Sequence, residues 1–318
     1  MKTVAKLYGR VKGKTSSFIR RMKFALKSQG IIRENNVNLC LVFFRLFFRM
    51  KLIEPTVKII EQPPGMDGLL AHIDYCAGIC YNRTTIHKNP KQFVDEMIKV
   101  GHMRPLEFGT VYLSIPRRIE NARIRELTDM LLQDKFSLFC EDFNEKKESA
   151  TIYLTTNYRV LVENDATDLL NLFLTPPTEH HPKRTTVGWH ISRGIADEFR
   201  THITLSSLMK STRYVNETKH GMEFIKPFWF QNENGEKEAN FVKYCDNVES
   251  EYNRCINEFG MKPQEAREYL PLSLGVELYQ CGFVGFSGIG WNRFFEMRCD
   301  KAAHPDARMI AEKCKALF

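Results

Sequence analysis

The chain has 318 residues, enough for two ordinary domains or one large one, and its 43% hydrophobic and 26% charged residues exclude long disorder and fibrous repeats. Its nine cysteines are scattered without a CxxC pair, which excludes a disulfide framework and a zinc ribbon and points to a reducing, cytoplasmic setting. The net charge of +8 divides unevenly, because residues 1–51 hold 13 Lys/Arg and one acid, Glu34, whereas the rest hold 33 Lys/Arg against 37 Asp/Glu, a net of −4.

A basic extension, residues 1–54, therefore precedes a mildly acidic body, residues 55–318, which does not read as a nucleic-acid binder. Within the extension, Leu39–Met50 is apolar but carries Arg45 and Arg49. It is shorter than the roughly 20 residues of a membrane span and lacks the layout of a secretory signal. Two readings stand for the arm: a loosely packed extension, or a surface helix that touches an acidic lipid or nucleic-acid surface.

In the body, Pro55–Gly68 reads as a strand, a turn and a helix start. Asn89-Pro90 predicts a capped helix through Phe93, Met97 and Ile98, ending near Gly101. Glu107–Ile115 alternates Val111, Leu113 and Ile115 and predicts a strand. A helix follows over 119–133, then a hairpin of 136–139 and 152–154 around the charged tip Asn144–Glu148, then a helix over 159–172. Pro176–Pro182 reads as a loop, Val187, Trp189 and Ile191 as a strand, and Gly194–Ile203 as a short helix. Helices are expected at 247–260, 264–270, 291–298 and 304–316. Helices and strands mix without a strict βαβ repeat, so the expected class is α+β, with helices packed on a mainly antiparallel sheet.

The common nucleotide and hydrolase signatures GxGxxG, the P-loop and GxSxG do not occur. His180, His181 and His190 have only Glu179 as an acidic neighbour in their loop, and no metal set is expected. Three other clusters carry chemistry-bearing residues. Ser192–Tyr214 packs Arg193, Arg200, His202, Lys210 and Arg213 among Ser206, Ser207, Ser211 and Thr212. Hydroxyls beside planar guanidinium forks suit a phosphomonoester, and in an extended segment Ser211 and Arg213 would share one face; a basic surface helix with a polar turn is the alternative. Gly101–Glu107 places His102 and Arg104 between a helix end and a strand, either to meet an anionic or aromatic ligand or as a solvated loop. In the third cluster, Ala266–Pro271 and Phe294–Arg298, the helical spacing sets Arg298 beside Phe294 and Phe295, where it needs an anionic or carbonyl partner or an internal ion pair.

Together, GHMRPLEF at 101–108, THITLSSLMKSTRY at 201–214, AREYLP at 266–271 and FFEMRCDKAAHP at 294–305 resemble the flavin-dependent thymidylate synthases. That family carries GHxxxxEH, RHRxxSxxxxSxRY, an AR-x-x-LP segment and an FFxLR helix in the same order. The resemblance implies an α+β, flavin-dependent thymidylate synthase-like fold, assembled as a homotetramer with active sites between subunits. It implies conversion of dUMP to dTMP, with methylenetetrahydrofolate as carbon donor and NADPH-reduced FAD as hydride carrier. By position, His102, Arg104, Glu107, His202, Met209 and Arg293 would serve the flavin, with Glu107 bracing its loop. Glu198, Arg200, Ser211, Arg213 and Arg267 would hold dUMP, and Arg298 would face the uracil as the catalytic residue.

The chain departs from the family's pattern in three places. Thr201 and Ile203 stand where the signature has its first and third arginines, with Arg200 one place before. Phe108 replaces the histidine after Glu107. The run Tyr279–Gly290 replaces a short Asn-x-Arg flavin contact, with Asn292 and Arg293 as its substitutes. Two other readings are a diverged relative that binds a pyrimidine nucleotide without methylating it, and a transferase acting on another pyrimidine monophosphate.

Overall fold

The computed structural model describes residues 50–318 apart from 145–148, 220 and 232–234. Most of the expected N-terminal extension, and the tip of the expected hairpin, lie outside the described residues. Lys51–Ile53, which the sequence reading assigns to that extension, form a strand, β1, paired in parallel with β8 (Glu223–Ile225).

Two antiparallel sheets organise residues 51–318. One has the order β2-β6-β9-β7, built from β2 (Thr56–Ile60), β6 (Arg184–Ser192), β9 (Gly275–Phe283) and β7 (Ser206–Met209). The other has the order β3-β5-β4, from β3 (Thr110–Pro116), β5 (Ser149–Asn157) and β4 (Leu138–Asn144). The class is α+β, as the mixed pattern of the sequence implies.

The smaller sheet owes its register to period-two burial. Val111, Leu113 and Ile115 of β3 are fully buried while Tyr112 and Ser114 between them are not. They join a core with α1 (Gly65–Gly78), α2 (Pro90–Lys99) and α3 (Ala122–Gln133), through Leu69, Ile73, Val94 and Leu131. α2 begins where Asn89 accepts a hydrogen bond from the Gln92 amide, with Pro90 at its first position.

On the larger sheet an aromatic wedge fixes two helices, α6 (Arg193–Phe199) and α9 (Gly290–Arg298). Trp189 of β6 packs 5.0 Å from Phe199, 6.2 Å from Trp291 and 5.6 Å from Phe294, centroid to centroid. Phe199 and Phe294 meet edge to face at 4.8 Å. Burying one such ring contributes about 1.5–3 kcal/mol, so the wedge sets the relative position of both helix ends. Trp291 Nε1 also donates to Thr185 O at 2.9 Å.

Several predicted elements differ in the structure. Residues 104–108 are a 3-10 turn opened by Pro105, and β3 starts at Thr110, not at Glu107. The helix expected over 159–172 breaks into α4 (Tyr158–Glu163) and α5 (Asp168–Phe173), because Asp165 adopts a φ of 53°. α6 stops at Phe199, short of Ile203. The helix expected from 247 starts eleven residues earlier, as α7 (Glu236–Asn257). The segment 264–270 is a four-residue helix, α8 (Pro263–Ala266), followed by a 3-10 turn. The run Tyr279–Gly290, read as a ligand loop, supplies the second half of the central strand β9. The last helix, α10 (Pro305–Lys315), opens with His304 accepting from the Asp306 amide. Among the described residues no helix is long and apolar enough to cross a membrane.

Candidate functional site

The C-terminal end of α9 meets the C-terminal end of α6 through Arg298. Its Nε donates to His202 Nε2 at 2.8 Å, and Nη1 to Glu198 Oε2 at 3.0 Å. Nη2 donates to Glu198 O at 2.9 Å and to Thr201 Oγ1 at 3.2 Å. A guanidinium has five N–H groups, so one hydrogen on Nη1 is left for a ligand. The residue that the sequence reading counts as a lost arginine, Thr201, is here an acceptor for Arg298.

His202 is buried beneath Phe294, 4.9 Å away. Burial, the Arg298 charge and the Arg293 charge push its pKa down to about 4, so its imidazole is neutral near pH 7. Accepting at Nε2 assigns its proton to Nδ1.

A chain of hydrogen bonds leads from this group to the loop Gly101–Glu107. Gln280 of β9 is fully buried, and its Nε2 donates to Phe199 O at 3.0 Å and Ser207 Oγ at 3.1 Å. Ser207 O accepts from Arg104 Nε at 3.2 Å. Glu107, in the same loop as Arg104, pairs with Arg159 Nη1 at 2.7 Å, and its carbonyl accepts from Arg184 Nη2 at 3.2 Å. Arg104 itself is exposed and has no carboxylate partner among the described residues.

Beyond β7 the chain turns sharply. Lys210 N donates to Glu277 O at 2.9 Å and Ser211 N to Cys80 O at 3.2 Å, which pins the turn. Ser211 Oγ accepts from Arg213 N at 3.2 Å, so the segment is a hydroxyl-capped turn and not the extended run that the shared-face reading needs. The Arg213 guanidinium lies over the Tyr214 ring at 5.4 Å, and Tyr214 stacks on Tyr81 at 5.5 Å. Arg213 is exposed and, among the described residues, pairs with no carboxylate. Arg193, at the first position of α6, reaches the same turn and donates to Thr212 Oγ1 at 3.2 Å. Sequence reasoning placed Arg193 in this cluster but gave it no role. Lys210 has a structural partner instead: it is buried, with Glu217 at 3.3 Å and Glu277 at 3.8 Å.

Other predicted site residues stand apart from this group. His102 is exposed on the loop before Arg104. Arg267 lies in the turn after α8, 3.6 Å from Glu268. Exposed Arg293 faces Glu296 at 3.4 Å, and exposed Arg200 faces Asp197 at 3.3 Å. Met209 ends β7, half-buried. Asn292, expected as a replacement flavin contact, instead accepts from Gly285 N at 2.8 Å. Phe108 is fully buried and presents nothing to a ligand, whereas Ile203 is 92% exposed. Gln280 was missed altogether; a lone amide in an apolar strand gives no sign of its role until the register of β7 against β9 is known.

Among the described thiols, burial pushes Cys76, Cys80, Cys299 and Cys314 up, and Cys245 up to about 12, so none of these five is activated.

Comparison with known proteins gives three findings. Residues 166–318 match the family model described as thymidylate synthase complementing protein. Two crystal structures of the flavin-dependent thymidylate synthase of Helicobacter pylori, each with FAD and dUMP, match 42% of this chain and 67% of their own. They are 18% and 19% identical to it, with a TM-score of 0.32. No curated protein matches. The matched stretch, just under half of the chain, carries α6, β7, β9 and α9, and over it the chain is similar to the thymidylate synthase complementing protein family.

Proposed function

We propose that the protein converts dUMP to dTMP, with methylenetetrahydrofolate as carbon donor and NADPH-reduced FAD as hydride carrier. The observation that carries this reading is the turn Ser211–Tyr214, tied by Arg193 to the start of α6, the helix whose other end holds Arg298. There an unpaired Arg213, an Arg193 already turned onto Thr212, and the Ser211 hydroxyl offer a phosphomonoester charge and hydrogen bonds together. Arg267, with only a 3.6 Å acidic neighbour, would add a further cation from a neighbouring subunit of a homotetramer.

The residues present also fit an anionic flavin. Arg104 keeps four of its five N–H groups unused beside Ser207, and His102 is exposed next to it in sequence. FAD, when bound, would supply the redox chemistry of the reaction. Glu107 holds that loop through Arg159, and Gln280 fixes the distance from it to α6. Arg298 contributes a fixed positive charge and one free N–H, which would stabilise electron density driven onto a uracil carbonyl oxygen as C5 attacks. Neutral His202 orients Arg298 and keeps an Nδ1–H for donation. Glu198 holds the same guanidinium from the other side.

One alternative has an observation of its own. Ile203 is exposed where the family has an arginine, and Phe108 is buried where it has a histidine. These changes favour a relative that binds a pyrimidine nucleotide without transferring the methyl group. Anaerobic titration of the purified protein separates the two. Uptake of FAD, followed by oxidation of the reduced flavin that requires both dUMP and methylenetetrahydrofolate, supports the synthase. A colourless protein that takes up no FAD yet binds dUMP supports the alternative.

A further inference from the structure

A cavity of about 670 Å³ lies between the end of β2, the start of β3 and the segment 174–179. Its volume is in the range of small-molecule sites. The first residue of β6, Arg184, lines it, and its side chain is about nine-tenths buried. Every hydrogen-bond partner of that guanidinium is a neutral oxygen: Thr110 Oγ1 at 3.3 Å, Thr156 O at 3.5 Å and Glu107 O at 3.2 Å. The ring of Phe283 lies 5.5 Å from its Cζ. No carboxylate among the described residues pairs with it, and its Nε has no hydrogen-bond partner.

A buried cation compensated only by dipoles is costly, and an anion beside it recovers that cost. The neighbouring groups extend the argument. Lys183 stands exposed at the same wall, and His181 is buried behind it. The Arg184 charge is felt nearby, since it adds to the burial that keeps His72 neutral. Two acids line the cavity, Glu61 and Glu179, but both are exposed, and neither reaches Arg184.

We propose that this cavity is a binding site for a small oxyanion, a carboxylate or phosphate group, received by Arg184 with Lys183. It is separate from the Ser211–Arg213 turn and does not depend on the activity assigned above.

Calorimetric titration of the full chain with inorganic phosphate, and in parallel with acetate, tests the site. The Arg213→Ala variant serves as host, so that the turn does not contribute. At least one of the two anions binds, and the arm that does identifies the group. Arg184→Gln then weakens binding at least tenfold. Lys183→Ala removes an exposed cation of the cavity wall, so it weakens binding several-fold without lowering the melting temperature; it decides the matter should Arg184→Gln fail to fold. Absence of binding by both anions, or affinity unchanged in the folded variants, overturns the assignment.

Discussion

Replacing Arg298 by methionine keeps a flexible stem and deletes the guanidinium that joins α9 to α6. Four hydrogen bonds are lost, to His202 Nε2, Glu198 Oε2, Glu198 O and Thr201 Oγ1. Each is worth about 1 kcal/mol net, and those to charged groups somewhat more. The Glu198 side chain is 39% exposed, so water screens its share and takes over its lost contact. The balance is a destabilisation of about 2–3 kcal/mol, or roughly 4–10 °C in melting temperature for a body of this size. Activity falls with it, but the loss is not purely catalytic, because the residue also fastens two helix ends. A second readout separates this account from a simple loss of packing. The His202 pKa, held at about 4 first by burial and then by the Arg298 charge, rises but stays below 6.5 while burial persists. Urea unfolding and an NMR titration of the His202 ring measure both quantities. A loss below about 0.5 kcal/mol with an unmoved His202 would refute the bridge.

Other consequences are equally direct. His72 is buried against Thr186 Oγ1, and burial pushes its pKa from 6.5 to about 4. The unfolded chain binds that proton first, so stability is full above pH 6.5 and falls as pH drops towards 4, by roughly 3 kcal/mol for this group; a urea midpoint equal at pH 7 and pH 4.5 would exclude it. Arg213→Ala weakens dUMP binding by about 1.5–3 kcal/mol with the melting temperature unchanged, as seen by titration calorimetry, since the side chain is exposed and serves a ligand. Gly290→Ala destabilises by about 2 kcal/mol or more. The position has a φ of +54°, and a Cβ there would run into the Phe283 carbonyl. Wild-type stability of that variant would show that the loop before α9 accommodates a side chain.

Local chemistry made much of this structure legible. Caps at Asn89, alternation at Val111–Ile115 and the paired aromatics of α9 each mark an element within a few residues. What failed depended on distant partners. β9 contains Gly275 and Gly282, and its second half reads as a glycine-rich loop until β6 and β7 pair with it on both sides. Helix 159–172 breaks at a single left-handed aspartate, a choice the helical spacing does not reveal. The site shows the same division. Glu198, His202 and Arg298 are one hydrogen-bonded group, which realises the internal ion pair that the sequence leaves open for Arg298, and Arg104 is linked towards it through Ser207 and Gln280, which no motif marks. His102 and Arg267 lie in motifs that resemble the family's, yet no hydrogen bond or ion pair among the described residues ties either to that group.

The most direct test of the central claim is the fate of dUMP. Incubated anaerobically with FAD, NADPH, methylenetetrahydrofolate and dUMP, the purified protein is predicted to release dTMP, identified by mass as dUMP with one added methyl group. The product should vanish with either FAD or methylenetetrahydrofolate omitted. Quantitative recovery of unchanged dUMP from a folded, flavin-loaded protein would contradict the assignment.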